Sequence, residues 1–206
     1  MKTANNIRKA KDKHGIDSVF EAQSSNKTAK AEAKNENTNP MKSPKETVRQ
    51  RIKDVLAILM NRQRNADDQV VRYALSGYML GTFNEVCDLS DIPDRLSKRI
   101  MEADADTKQS FNNFLEHLCY GEDGALEDTG IRVCSTCGEL MVEGYYLDGD
   151  YACCRPCAVK NYMDAARRCG EEEDIDAAEK ILQESLEYSE RNDGDVYYTE
   201  WELAEK

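Results

Sequence analysis

Cysteines carry the strongest chemical signal in this chain. Cys134 and Cys137 form a C-x2-C pair followed at once by Gly138, and Cys154 and Cys157 form a second pair after sixteen intervening residues. C-x2-C-x16-C-x2-C is the spacing of a four-thiolate zinc site. Two cysteines three apart in a tight knuckle aim both sulfurs at one ion. A glycine after the second accepts the left-handed backbone that such a turn demands. Two knuckles then close a tetrahedron with metal–sulfur distances of about 2.3 Å. Four thiolates leave no position for water or substrate, so the expected cofactor is one structural Zn2+ and no catalytic residue is assigned. Cys153 adjoins Cys154, and Cys153-x3-Cys157 is also an acceptable ligand spacing. Cys154 is the expected ligand, because C-R-P-C is the tighter knuckle, and Cys153 is its substitute. The competing readings fit less well: disulfides need an oxidising compartment, and a redox C-x-x-C pair normally stands alone.

The segments around the cysteines must position them. Leu140, Val142, Tyr145, Tyr146 and Leu147 are strand-like, and Asp148-Gly149 is a hairpin turn dipeptide. After Cys157 the pattern turns helical through Ala158, Val159, Tyr162, Ala165 and Ala166. Knuckle, hairpin, knuckle, helix is the layout of a treble-clef finger, with the second ligand pair at the positive end of the helix dipole. Upstream, Ser43-Pro44-Lys45-Glu46 is a helix start, and Val48, Ile52, Val55, Leu56, Leu59 and Met60 recur along one face. A second helix is expected from Asp67 or Asp68, with Val70, Val71, Ala74, Leu75, Tyr78 and Met79 apolar, fading near Gly81. Asp91-Ile92-Pro93 opens a third with Leu96, Ile100 and Met101, and Asp106 or Thr107 caps a fourth with Phe111, Phe114, Leu115, Leu118 and Cys119. Short loops between four helices predict a small antiparallel bundle. It holds no catalytic constellation. His117 reads as a packed or half-exposed side chain, and Cys87 and Cys119 as small buried ones.

Charge divides the chain into parts. The net charge is −12, made of +4 over residues 1–42, −1 over 43–121 and −15 over 122–206. Residues 1–42 read as a basic, disordered leader. Within it, 23–39 lack any aromatic or β-branched aliphatic residue, so burial cannot offset an ordering cost of about 1–2 kcal/mol per residue. Ile7, Ile16, Val19 and Phe20 before that stretch are a candidate transient helix or partner peptide. Residues 43–121 are the bundle and 122–170 the finger. Residues 171–206 are an acidic helix, with Ile175, Ala178, Leu182, Ser185 and Leu186 on one face, and an aromatic tail. The fold class expected is mainly α: a small helical bundle, a treble-clef-like zinc finger and an acidic helical tail. Trp201, the one tryptophan, either folds back on the hairpin tyrosines or the helix, or anchors a docking peptide with Tyr197 and Tyr198 for a basic groove. No run approaches the roughly 20 apolar residues of a membrane helix. The first twenty residues show no apolar export region, so a cytoplasmic location is expected. A surface this acidic disfavours nonspecific phosphate binding.

Cys134-Ser-Thr-Cys137-Gly138-Glu-Leu-Met141, Glu143-Gly144-Tyr145-Tyr146, Asp148-Gly149, Cys154, Cys157 and Tyr198-Thr199-Glu200-Trp201-Glu202 resemble a group of small, largely uncharacterised zinc-binding proteins of phages and bacterial mobile elements. The resemblance spans residues 133–202 and does not reach the bundle. Cys153-Cys154 departs from its pattern. It implies a bacterial or phage cytoplasmic setting and supplies no activity. The finger also resembles one LIM-type module, in which such knuckles mediate protein contacts. The expected function is a non-enzymatic accessory protein whose acidic C-terminal part engages a protein with a basic surface. The alternatives are a mimic of nucleic acid that occupies a host protein's DNA site, and a nucleic-acid-binding finger. The latter is disfavoured, because in the helix directly after Cys157 only Lys160, Arg167 and Arg168 are basic, with many acids around them.

Overall fold

The structure, a computed structural model, describes residues 42–61, 67–120 and 124–206. The expectations for the leader lie outside these residues. The described residues form one compact unit, so the parts read in the sequence as bundle, finger and acidic tail pack together.

Helix α1 (Pro44–Asn61) starts where the sequence places it. Glu46 Oε2 accepts from the Ser43 N–H at 2.9 Å, and Ser43 Oγ accepts from the Glu46 N–H at 3.3 Å, a reciprocal capping box. Its buried face is Val48, Ile52, Val55, Leu56, Leu59 and Met60. Helix α2 (Asp67–Phe83) continues beyond Gly81 and buries Leu75 and Met79, whereas Val70 faces outward. A 3-10 turn, Leu89–Asp91, leads into α3 (Ile92–Glu102). Helix α4 (Ala105–Cys119) is capped two or three residues earlier than expected: Asp104, not Asp106 or Thr107, accepts from the Thr107 N–H at 2.7 Å. Asp104 lies three residues before that donor, the spacing at which an N-cap side chain reaches the third helical N–H. His117 is exposed on α4, and Cys119 is buried.

Seven short strands follow. β1 (Leu126–Asp128) pairs with β7 (Ala204–Glu205), and β2 (Arg132–Val133) with β3 (Leu140–Met141). β4 (Glu143–Leu147) lies between β5 (Asp150–Ala152) and β6 (Val196–Glu200), all antiparallel. Asp148 and Gly149 form the two-residue β4–β5 turn with φ of 48° and 100°, as a hairpin of primed type requires. Helix α5 (Arg155–Arg168) follows β5, and α6 (Ile175–Asn192) is capped by Asp174 and ends at left-handed Asp193.

Two apolar clusters hold the unit together. The larger joins α1–α4 to Leu126, Ile131, Val133, Leu140 and Val142 of the strand region. The smaller collects Met141, Leu147, Ala152, Ala158, Val159, Ala178 and Leu182 beneath the cysteines. Strand β3 therefore faces the larger cluster through Leu140 and the smaller one through Met141. No helix among the described residues is long and apolar enough to cross a membrane.

Candidate metal centre

The loop between β2 and β3 is the first knuckle. Gly138 N–H donates to Cys134 O at 2.8 Å and Cys134 N–H to Glu139 O at 2.9 Å, closing a turn in which Gly138 has φ of 72°. Ser135 N–H donates to Tyr151 O at 2.8 Å, and Thr136 Oγ1 to Cys157 O at 2.9 Å. These bonds fasten the knuckle to β5 and to the start of α5. Lys108, buried on α4, donates from Nζ to Glu139 Oε2 at 2.8 Å and ties the same loop to the bundle.

The sulfurs of Cys134, Cys137, Cys153 and Cys157 lie within 4.8 Å of one another. Cys137 Sγ is 3.6 Å from Cys153 Sγ, which is 3.7 Å from Cys157 Sγ. Four sulfurs about 2.3 Å from one ion would be about 3.8 Å apart. The separations within the cluster, 3.6 Å at the shortest and no more than 4.8 Å, bracket that value and suit a single metal ion. None of the eight cysteines forms a disulfide.

One member of the expected quartet stands outside. Cys153, not Cys154, completes the cluster. Cys154 is the N-cap of α5 in extended backbone (φ −159°, ψ 164°), and Pro156 fixes the helix start just after it. Cys157 lies in the first helical turn, and the residue before the cap, Cys153, meets it. The Cys153-x3-Cys157 spacing carried this alternative in the sequence. Thr136, Lys108 and Glu139, which hold the knuckle in place, have no motif that announces them.

Electrostatics favour a cation here. Burial, then the charge of Cys134, pushes the Cys153 thiol pKa well above its ordinary value. Burial, then the neighbouring Cys154 thiol, pushes Cys157 up to about 12. Burial also opposes ionisation of Cys134, but N–H groups of Cys153, Cys137 and Thr136 directed at its sulfur outweigh it and lower its pKa. The knuckle amides thus favour the charged form of Cys134, and a divalent cation would offset the burial and repulsion that oppose it at Cys153 and Cys157.

The tail is built into this region and is not a loose peptide. Strand β6 extends the hairpin, with Tyr198 opposite Tyr145 and Tyr197 opposite Tyr146. Trp201 N–H donates to Val142 O at 2.8 Å, and Arg51 Nη1 of α1 donates to Trp201 O at 2.8 Å. The indole meets Tyr151 edge-on at 5.5 Å, and the Arg132 guanidinium lies 5.5 Å from its ring centre. Trp201 is engaged through both backbone and ring, as the fold-back reading has it, whereas Tyr197 and Tyr198 are exposed. Replacing Trp201 with Ala is expected to cost about 2–3 kcal/mol of stability through lost ring contacts and the cavity left behind. Denaturant unfolding checks this, and a loss below 0.5 kcal/mol, roughly the level of a neutral surface change, would contradict it.

Asp128 holds Arg132 beneath that ring through bonds of 2.6 and 2.9 Å and accepts from Gly130 N–H at 2.8 Å. Burial raises the Asp128 pKa, but the Arg132 and Gly130 bonds outweigh it and hold it below the ordinary carboxylate range. A folded pKa below the unfolded one means stability present above about pH 4 and lost as pH falls through the folded value. Asp128→Asn should therefore destabilise by about 1 kcal/mol at pH 7, after allowance for solvent screening. Its deficit against wild type should shrink below about pH 4; urea titrations at matched pH values read the difference.

Comparison with protein-family models, with curated proteins and with solved structures finds no match for this chain.

Proposed function

We propose that this is a non-enzymatic interaction protein whose C-terminal part is held by one structural Zn2+ in a treble-clef arrangement of knuckle, hairpin and helix. The observation that carries the reading is the convergence of Cys134, Cys137, Cys153 and Cys157 within 4.8 Å. An all-sulfur donor set selects zinc over harder ions, and four thiolates complete its coordination. The bacterial or phage setting suggested by the sequence resemblance belongs to the same proposal.

The binding role rests on the acidic C-terminal part. A groove of about 520 Å³ between α6 and β6 has Tyr145, Tyr197, Tyr198 and Leu186 on its walls and Glu187, Glu190 and Asp193 beside them. Aromatic faces with a carboxylate rim suit the Lys and Arg side chains of a basic partner. Nucleic acid is the weaker partner class, since Arg167 of α5 is paired with Asp164 and Glu173.

Elemental analysis of protein purified without added metal is expected to give about one zinc per chain, with strong chelators lowering the melting temperature. Folded protein with no metal and no response to chelator would overturn the zinc reading. For the binding role, a labelled Lys/Arg-rich peptide should bind more weakly as salt rises, and the Glu190→Lys, Tyr198→Ala pair should abolish binding. Equal binding by that variant would remove the groove from the account.

A further inference from the structure

We infer that Cys154 is a built-in replacement ligand for the position Cys153 fills, giving the centre two interchangeable ligand sets that share Cys134, Cys137 and Cys157. The inference rests on the metal-centre reading above and extends it.

Five thiols, not four, meet at the start of α5. Cys154 Sγ lies 3.9 Å from Cys153 Sγ. Cys154 therefore touches the ligand shell without belonging to the quartet.

Ordinary roles do not account for a cysteine here. Cys153 and Cys157 pack on the apolar cluster beneath the site, and Cys154 does not. At the N-cap, Ser, Thr, Asp or Asn would accept from the first helical N–H groups; Cys154 makes no such bond. Cys153 and Cys154 also precede α5 in a bend and not in regular structure. An exchange between them needs local adjustment and no displacement of the helix.

The exchange balances simply. Cys154 gives up its thiol proton as it takes the position, and the departing Cys153 thiolate gains one, so the number of thiolates on the ion is unchanged. Loss of Cys153 to alkylation or to oxidation by a peroxide then leaves a complete four-sulfur set.

The experiment compares wild type, Cys153→Ser, Cys154→Ser, the double variant and Cys157→Ser, all in the full chain. Zinc stoichiometry and the sulfur-to-metal charge-transfer absorption of the Co2+ form are read, with competition against a chelator for affinity. Cys153→Ser and Cys154→Ser should each hold one metal with four-thiolate Co2+ intensity. The double variant and Cys157→Ser should bind on the order of a hundredfold more weakly, having lost one ligand of four. Cys153→Ser as weak as the double variant overturns the inference while wild-type binding leaves the metal centre standing. Cys154→Ser that loses metal also overturns it, by making Cys154 the resident ligand. Wild type that binds no metal overturns the metal-centre reading itself. Cys153→Ala serves if the Ser variant does not fold. Failure of both to give folded protein, with Cys154→Ser intact, counts against the inference.

Discussion

Replacing Cys134 and Cys137 together by Ser is expected to abolish metal binding and to unfold the C-terminal part of the protein. A structural zinc site of this kind supplies about 10–16 kcal/mol in small finger peptides, against a total stability of about 5–15 kcal/mol for an ordinary domain. The smaller apolar cluster cannot replace it, because its buried members include alanines at 152, 158 and 178 and only a few large side chains. Hydrogen exchange should show protection lost across β2–β5 and α5. Protection should persist longest in α1, α3 and α4, whose buried faces include Ile52, Leu56, Ile100 and Phe111. Loss will not stop sharply at the finger, since Val133, Leu140 and Val142 also belong to the larger core. A double variant with wild-type metal content and melting temperature would contradict this.

The second large effect is expected at Gly138. The backbone there has φ of 72°, and a Cβ would lie 2.2 Å from Ala105 Cβ and 2.9 Å from Ala105 Cα. Two costs therefore combine in Gly138→Ala: a left-handed conformation worth about 1–2 kcal/mol, and a clash with the start of α4 worth about 1–3 kcal/mol. The expected destabilisation is about 2–5 kcal/mol. Metal affinity should fall with it, because Gly138 N–H closes the turn that aims Cys134 and Cys137. Chemical denaturation with and without added Zn2+ separates the two effects. The Ala105→Gly background should recover part of the loss by removing the methyl group that the new Cβ meets. If Gly138→Ala is as stable as wild type, the close approach of the knuckle to α4 is wrong.

Local signals were legible in the sequence, and long-range ones were not. The capping box of α1 and its buried face depend on residues a few positions apart, so helical spacing reveals them. The Asp148-Gly149 turn is equally local. Val70 shows the limit: it keeps the apolar period of α2 yet is exposed in the fold. The spacing of the cysteines identified the metal-binding segment, but spacing counts residues and not dihedral angles. The choice of Cys153 over Cys154 depends on where α5 begins and on the extended conformation at its cap. The fate of the tail was harder still. Arg51 and the Trp201 carbonyl that it holds are 150 residues apart. Nor does the pattern around Tyr197 and Tyr198 alternate as a half-buried strand would. It becomes a strand because β4 offers an open edge beside α6. The bundle and the C-terminal part pack together for the same kind of reason: Leu140 reads as strand-like, but nothing local shows that it joins the larger core while Met141 beside it joins the smaller cluster.

The most direct measurement of the central claim is X-ray absorption at the zinc edge on the protein as purified. One zinc per chain surrounded by four sulfurs at about 2.3 Å, with no nitrogen or oxygen neighbour, is the predicted result. A shell containing nitrogen or oxygen ligands, or protein that is folded and free of zinc, would contradict it.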